Sequence, residues 1–300
     1  MENKSRLSAF HFIALVSVFT VANSVIKMPF YRESLSELFI AAAGGIIIAF
    51  FIYKPLKTVI SANSGILKGA VFAVAFIFSL IAAVAASREY TAFIYENLLT
   101  KESAFLIKLI FALCTACIAA GDKKAIYKFS SISFAFVAAI FAVMFLISVK
   151  NFDLRNLKTA FDFSHISVNH TFAYGYKLLA PSVFAVLFIA LDMPRNLPKF
   201  AVPAGVSLGI IICIVAVLDS VFCFSLPLSA RLEYPYIDDI STVTIGNLFT
   251  RMDGFAYFAF FVCYLLKCAV LIRLSADALC LAGIKKKRYA VILLSAVLLL

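Results

Sequence analysis

The sequence predicts an all-α polytopic membrane protein, and three observations lead to this prediction. Of its 300 residues 64% are hydrophobic and 14% are charged, with a mean hydropathy of +1.02, whereas about a quarter of the residues in soluble domains are charged. Apolar runs close to the ~20 residues that a membrane helix needs recur along the chain. Basic residues collect in alternate short segments between these runs. We therefore expect residues 1–300 to form a single membrane domain.

The apolar runs predict about eight full spans and part of a ninth. In chain order the full spans are 8–31 (broken), 35–53, 66–95, 103–120, 126–148, 172–191, 202–226 and 254–280. The ninth run, from Tyr289 to Leu300, gives about 18 Å of helix, too little to cross a bilayer. We expect a bundle that is incomplete at its C-terminus.

The basic residues predict the orientation of the bundle. If the N-terminus is cytoplasmic, every cytoplasmic segment is short and basic, as the positive-inside rule requires. Because the basic residues are divided among five such segments, the net charge of +11 is a topology signal and does not indicate nucleic-acid binding. The residues are Lys4, Arg6, Lys54, Lys57, Lys68, Lys123, Lys124, Lys128, Arg195, Lys199, Arg273, Lys285, Lys286, Lys287 and Arg288.

The first span contains polar residues where a helix should still be crossing lipid. Its sequence "VANSVIKMP" places Asn23 and Ser24 before Pro29. Asn and Ser side chains compete with helical hydrogen bonding, and Ser24 is suited to cap a second half-helix from Val25. Such a break within residues 21–25 is typical of the substrate sites of secondary transporters. A simple kink at Pro29 is the alternative.

The sixth span carries a second candidate break. Gly175 and Pro181 interrupt "TFAYGYKLLAPSV", five spans after the first. Discontinuous first and sixth helices are the pattern of a five-plus-five inverted repeat. We expect this break within residues 174–182, although Gly and Pro are also frequent in ordinary membrane helices.

Lys267, in "YLLKCAVLI", is an ionisable residue deep inside the last full span. At that depth it is a candidate functional residue. The alternative is that its side chain extends toward the cytoplasmic surface. Asp219 lies nearer the outer end of its own span, so we do not expect it to pair with Lys267.

No catalytic residues, metal site or cofactor are predicted. Cys114 and Cys117 are three residues apart, a spacing found in redox and metal sites. In a membrane helix this spacing more often means two small residues on one packing face. Asp162, His165 and His170 are irregularly spaced in a loop. No nucleophile–base arrangement or phosphate loop occurs, so we expect no enzyme.

The long outer segment "YPYIDDISTVTIGNLFTRMDG" predicts that residues 234–252 form a short surface helix that packs on the outer mouth of the bundle. At 100° per residue Ile237, Ile240, Val243 and Leu248 share one stripe that needs burial. Ile245 lies off that stripe, and Gly246 weakens the helix.

The chain resembles the B subunits of GerA-type spore germinant receptors, in the amino acid–polyamine–organocation transporter superfamily. The likeness extends over nearly all of the chain. It is carried by "VANSVIKMP", "SREYTAFIYENLLTKES", "FDLRNL" and, most specifically, "YPYIDDISTVTIGNLFTRMDGF".

The resemblance implies a LeuT- and amino-acid-permease-like fold of five plus five helices in the spore inner membrane, with A and C receptor subunits as partners. It implies a midplane pocket for a small nutrient germinant, often an amino acid, lined by the first, third, sixth and eighth spans. The matching positions are Ala22, Asn23, Ser24, Phe78, Ala82, Phe184, Lys267 and Leu271. The family usually has glycines in the first break, where this chain has Ala22 and Ser24.

The resemblance leaves two functions open. One is a germinant receptor subunit that signals through its partners, and the other is an amino-acid transporter coupled to protons or sodium. A structural or channel-forming subunit without a small ligand is a third. Lys267 is unusual at its position and suits the carboxylate of an amino-acid-like ligand.

Overall fold

A computed structural model describes residues 8–24, 35–61, 65–99, 102–161, 166–192, 198, 200–242, 253–281 and 287–299. In this part of the chain the secondary structure is helical. The helices are α1 (Ala9–Ser24), α2 (Leu35–Ser61), α3 (Gly65–Asn97), α4 (Ala104–Ala120), α5 (Lys123–Ser148), α6 (Arg155–Ala160), α7 (Val168–Asp192), α8 (Ala201–Phe224), α9 (Leu226–Ser229), α10 (Pro235–Thr242), α11 (Asp253–Leu281) and α12 (Lys287–Ala296).

The predicted all-α membrane architecture is confirmed. Within the described ranges five helices are long and apolar enough to cross a membrane. Shorter apolar helical stretches are Ala9–Ala22, Leu35–Phe51, Ala104–Ala120 and Arg288–Leu299. Each predicted span coincides with a helix, because a bilayer-length apolar run leaves the backbone few ways other than a helix to satisfy its hydrogen bonds.

Two helices form the centre of the bundle. α11 packs against α3, α4, α5, α12 and α1. Over its most apolar 18 residues, 83% of the residues are buried. α1 packs against α8, α5, α7 and α11. α1 is largely apolar, and even the charged residues Lys267 and Arg273 of α11 are buried, as expected of helices that are surrounded by protein.

The contact between α1 and α8 brings two backbones together through glycines. A Cβ atom on Gly205 would lie 2.7 Å from Cβ of Val16, and one on Gly209 would lie 2.5 Å from Cβ of Thr20. The Ser17 hydroxyl donates a hydrogen bond to the Gly205 carbonyl at 2.9 Å. Glycines four residues apart allow this close approach, which is a common way to join membrane helices.

The predicted break in the sixth span is wrong. α7 is a continuous helix from Val168 to Asp192 and includes both Gly175 and Pro181. A membrane helix tolerates a proline when neighbouring groups and packed helices compensate for the lost backbone bond. Here α2 packs along α7, and the Leu179 side chain of α7 lies against the backbone of Gly45 in α2.

The first predicted break is not seen in the part that can be tested. α1 remains helical through Val21, Ala22, Asn23 and Ser24. Val25 and the residues up to 34 lie outside the described residues, so an interruption after Ser24 stays a prediction. The five-plus-five repeat likewise stays a prediction.

The predicted surface helix is confirmed over its first half. α10 spans Pro235–Thr242, with proline in its first turn, a position that suits a residue lacking an N–H. Ile237 and Ile240 are buried, as the predicted stripe requires. Val243, Ile245 and Leu248 lie outside the described residues.

The helices alternate in direction and so define two ends of the bundle. We call the end that carries α10 the α10 end. It also holds the C-terminal ends of α3, α5 and α8, because residues of α3 and α5 contact Tyr234 and Tyr236 and α10 packs on α8. The opposite end holds the turn between α4 and α5.

Candidate ligand-binding site

Lys267 lies at the centre of the bundle. It is the middle residue of the 29-residue helix α11, about 20 Å from either helix end at 1.5 Å per residue. The residue is only 5% exposed. A lysine side chain is far too short to reach a helix end over that distance, so the extended, surface-seeking conformation is disfavoured and the ammonium lies in the interior.

An acidic residue and two tyrosines surround this ammonium. The Nζ atom lies 4.9 Å from the centroid of the Tyr264 ring, one turn earlier on α11. Glu89 on α3 is an acidic side chain that acts electrostatically on Lys267. The Tyr90 ring lies 5.6 Å from the Tyr264 ring. We call Glu89, Tyr90, Tyr264 and Lys267 the lysine cluster.

The side chains of the lysine cluster are positioned by the contact between α3 and α11. Cys268 donates through sulfur to the Ala83 carbonyl at 3.7 Å, and the hydroxyls of Ser79 and Ser275 are 2.6 Å apart. Ala83 is fully buried in this contact. Small side chains let the two helices approach closely, and hydroxyl pairs across membrane helices contribute about 1 kcal/mol each.

The predicted ligand residues divide into those that face the interior and those that do not. Ala22 and Leu271 are buried on the packed helices α1 and α11. Ala82 is half-buried against the core. Phe78 is 58% exposed and points away from this interior, while the adjacent Ser79 faces inward. The side chains of Asn23 and Ser24 lie outside the described residues.

Phe184 belongs to a different cavity. It lines an open groove of about 740 Å³ between α2 and α7, together with Ile40, Ile48 and Phe172. These three side chains are largely exposed, so the groove opens on the lateral surface of the bundle. Its walls are almost entirely apolar and contain no charged side chain. The groove therefore suits lipid chains, and it lacks the polar groups that would recognise an amino acid.

The other polar residues considered from the sequence have ordinary surroundings. The Nδ1 atom of His170 lies 3.8 Å from an Oε atom of buried Glu37, whose other oxygen accepts a bond from the Ser167 N–H. Asp162 and His165 lie outside the described residues. Cys117 is exposed and Cys114 is partly buried.

At the end opposite α10, a network of charges joins three helices. The Arg273 guanidinium donates to the carbonyls of Ala119 and Gly121, at 2.7 and 2.6 Å, where α4 ends. Asp277 lies 3.5 Å from Arg273 and 3.2 Å from Lys123. A cation at a helix C-terminus satisfies carbonyls that have no partner in their own helix. The network therefore fixes the α4–α5 turn on α11.

At the α10 end, the sequence segments that carried the family resemblance contact one another. The Tyr234 hydroxyl donates to Glu96 at 2.6 Å, and its ring packs 5.0 Å from Phe93. The rings of Tyr236 and Phe141 stack at 5.1 Å, with 3° between their planes. "YPYIDD" is thus held against the "SREYTAFIYENLL" segment and α5.

The "FDLRNL" segment holds the end of α8. The Phe222 carbonyl accepts bonds from the Asp153 N–H and from the Asn156 side chain, at 3.1 and 2.9 Å. The Phe152 ring stacks on the Phe222 ring at 4.7 Å. These contacts satisfy a carbonyl that the helix leaves unpaired.

A pair of buried carboxylates lies beneath α10. Asp219 on α8 and Asp239 on α10 are both fully buried, and their oxygens lie within 4.8 Å of one another and of the Cys223 sulfur. Burial raises the pKa of Asp239 to about 6. Sequence reasoning considered Asp219 alone, because nothing in the sequence indicates that Asp239 lies against it.

Glu89 is the second residue that the sequence reasoning missed. In the sequence it stands out only as part of the segment "SREYTAFIYENLLTKES", which carries the family resemblance. Its position between Arg88 and Tyr90 on a long apolar helix was the available signal, since acidic residues inside membrane helices are rare and commonly functional.

The described helices define an all-α, multi-pass membrane protein with Lys267 buried at mid-depth of the bundle. The family model described as "Spore germination protein" matches residues 6–300. The chain therefore belongs to this family of spore germination permeases, and the GerA-type resemblance is confirmed. No curated protein matches the chain.

Proposed function

We propose that this protein is the germinant-binding, permease-like subunit of a spore germination receptor. A small nutrient, in this proposal an amino acid, binds in the interior next to Lys267. Binding is passed on to the A and C subunits of the receptor in the spore inner membrane. Membership of the spore germination family and the multi-pass helical fold support this proposal.

The lysine cluster is the observation that carries the proposal. A buried charge at mid-depth is costly, and such charges in membrane proteins commonly mark substrate or ion pathways. Lys267 and Glu89 provide one positive and one negative group on neighbouring helices. A free amino acid carries the same two charges. Its carboxylate therefore binds to Lys267 and its ammonium to Glu89.

The tyrosines complete the recognition of the ammonium group. The Tyr264 ring already lies against the Lys267 cation, and the Tyr90 ring lies beside it. Aromatic faces attract cations by about 0.5–2 kcal/mol depending on solvation. The hydroxyl of Tyr264 is buried and lies close to Glu89, so that both groups can contact the same polar group of a ligand.

The substitution Lys267→Met tests this proposal. It keeps the side-chain length and removes the charge. Losing a charge-assisted hydrogen bond should cost about 1.5–3 kcal/mol, or roughly a ten- to hundredfold higher germinant concentration for half-maximal germination. Lys267→Arg should do less harm, because it keeps the charge. The response is measured on spores at matched protein abundance over a panel of amino acids.

The controls separate recognition from folding. Lys128→Met makes the same change at an exposed position of α5 and should leave the response unaltered. Removing one member of a buried pair leaves the other uncompensated. The double variant Lys267→Met/Glu89→Gln should therefore recover abundance without recovering the response. An unchanged concentration dependence in Lys267→Met would show that Lys267 takes no part in recognition.

An amino-acid transporter coupled to protons or sodium is the second candidate function. The family is described by a permease model, and a buried lysine near a half-buried glutamate inside the bundle is also suited to ion-coupled movement. Uptake of radiolabelled amino acid into proteoliposomes that contain only this chain would favour transport. Binding without uptake would favour the receptor.

A further inference from the structure

Asp219, Cys223 and Asp239 form a compact group of potential metal ligands at the α10 end. Asp219 and Cys223 are four residues apart on α8, which places them on one face of that helix. Asp239 comes from α10. One ligand atom of each residue lies within 4.8 Å of the other two. The three residues thus converge from two helices on one point.

Within the described part of the protein neither carboxylate receives a hydrogen bond of normal geometry, and the thiol of Cys223 is the neighbouring donor that acts on Asp239. Both residues are 0% exposed, and all four of their oxygens are inaccessible to solvent. The neighbours that act on Asp219 are another carboxylate and the Ser148 hydroxyl. The Ser148 hydroxyl already donates to the Met144 carbonyl at 3.1 Å. Burying carboxylates without compensation costs several kcal/mol per ion, so such groups are normally paired or bound to a metal.

We propose that Asp219, Cys223 and Asp239 bind a divalent transition-metal ion, and that this ion is Zn²⁺. Zinc accepts both carboxylate oxygen and thiolate sulfur, at about 2.0–2.2 and 2.3 Å. Calcium and magnesium take oxygen ligands, so a thiolate in the site disfavours them. Binding releases the thiol proton and any carboxyl proton to solvent, and no oxidation or reduction occurs.

The observed spacing fits such an ion after a small adjustment. Two ligands at about 2.1 Å in tetrahedral geometry lie about 3.4 Å apart. The observed limit of 4.8 Å therefore closes by rotation of the side chains. With three protein ligands, water or a further group completes the coordination. The ion joins α10 to α8 at the α10 end. This metal site does not depend on whether a germinant binds near Lys267.

The test uses the full-length chain purified in detergent. After chelator treatment and dialysis, Zn²⁺ is added at micromolar concentration and the bound metal is measured by mass spectrometry. We expect one Zn²⁺ per chain. Loss of a residue that only hydrogen-bonds to a metal ligand typically weakens metal binding by about 10–100-fold. Loss of a ligand itself should weaken it more. Asp239→Asn and Asp219→Asn should therefore weaken binding by more than about 100-fold. Less than about one tenth of an equivalent in the unaltered chain would overturn the proposal.

Matched controls come from neighbouring residues. Asp238→Asn changes the adjacent aspartate of α10, which is outside the cluster, and should keep the metal. Equal zinc content in Asp239→Asn and Asp238→Asn would overturn the proposal. So would a chain that binds no metal and titrates as two carboxyl groups sharing a proton.

A spectroscopic measurement does not depend on the aspartate variants folding. Co²⁺ added to the metal-free, unaltered chain should give the near-ultraviolet charge-transfer absorption of a cobalt–thiolate bond. The absorption should vanish in Cys223→Ser and persist in Cys213→Ser, which changes a buried cysteine of the same helix. No such absorption in the unaltered chain would mean that Cys223 is not a ligand.

Discussion

Two buried basic residues on α11 have very different surroundings, although only six positions separate them. Arg273 contacts two helix-terminal carbonyls and Asp277, so its charge is fully used within the protein. Lys267 faces aromatic rings and one acid on the neighbouring helix. The guanidinium holds the α4–α5 turn on α11, whereas the ammonium lies against the Tyr264 ring at the middle of that helix.

Replacing Arg273 tests that structural function. Arg273→Met leaves the carbonyls of Ala119 and Gly121 and the Asp277 carboxylate without their cation. Breaking a buried pair costs about 3–5 kcal/mol. We expect a correspondingly lower thermal unfolding temperature in detergent. Arg88→Met, which removes an exposed arginine from α3, is the control and should change stability little. Equal stabilities of the two variants would contradict the assignment.

At the level of single residues the sequence shows which side chains are unusual in a membrane helix. It does not show whether a side chain faces the interior of the bundle or its outer surface. The depth of Lys267 followed from counting residues in its span. The outward direction of Phe78 could not be predicted because α3 is apolar on most sides, so hydrophobicity does not tell which face is inside. Glu89 was missed because its partner is on a helix far along the chain. Pairing at that separation is a property of packing.

At the level of secondary-structure elements, the positions of the helices could be predicted from the sequence. Whether each helix is continuous or interrupted could not. Bilayer length and backbone hydrogen bonding determine where a membrane helix begins and ends to within a few residues. Whether Gly175 and Pro181 interrupt α7 depends on the packing of α2 against it, which periodicity does not show. The same packing determines that the glycines of α8 face α1.

The glycine contact between α1 and α8 can be tested by adding one methyl group. In Gly209→Ala the new Cβ would lie 2.5 Å from Cβ of Thr20 and 2.9 Å from the backbone oxygen of Ser17. Backbone cannot move aside easily, so we expect a loss of about 1–3 kcal/mol, measured by thermal unfolding.

Gly175→Ala is the matched control for this substitution. Nothing lies within 4 Å of a Cβ added there. We expect unchanged stability or a gain of up to about 1 kcal/mol, because alanine favours the helix more than glycine does. Loss of germination in Gly175→Ala at normal abundance would contradict a continuous α7 and favour a flexible one.

For the whole molecule, successive membrane helices run in opposite directions. The orientation of the protein in the membrane can therefore be tested on a single helix, α5. Lys124 and Lys128 are exposed near the start of α5, and Lys150 is exposed just after its end. About 33 Å of helix separates Lys128 from Lys150, enough to cross a bilayer. An N-terminus in the cytoplasm places Lys150 outside.

An amine-reactive reagent that does not cross membranes should therefore modify Lys150 on intact protoplasts. Lys124 and Lys128 should react only after permeabilisation, as read by peptide mass spectrometry. The opposite pattern would invert the proposed orientation. Modification of all three lysines on intact cells would contradict a membrane-crossing α5.

The order of spans could be predicted for the whole chain, but their spatial arrangement could not. Hydropathy gives α1 and α11 no distinction from their neighbours, yet they occupy the centre. That position depends on interhelical contacts such as Ser17 with Gly205 and Cys268 with Ala83. Individual interactions of this kind are weak and distant in sequence, so only their sum selects one arrangement.

The interlocked glycine contact also has a mechanical consequence. Because Val16 and Thr20 fit against the bare backbone of α8, α1 cannot slide or rotate without colliding with it. We therefore expect the two helices to move together. A displacement of α1 would then reach the far end of α8, where the loop before α6 and the short helix α10 are attached.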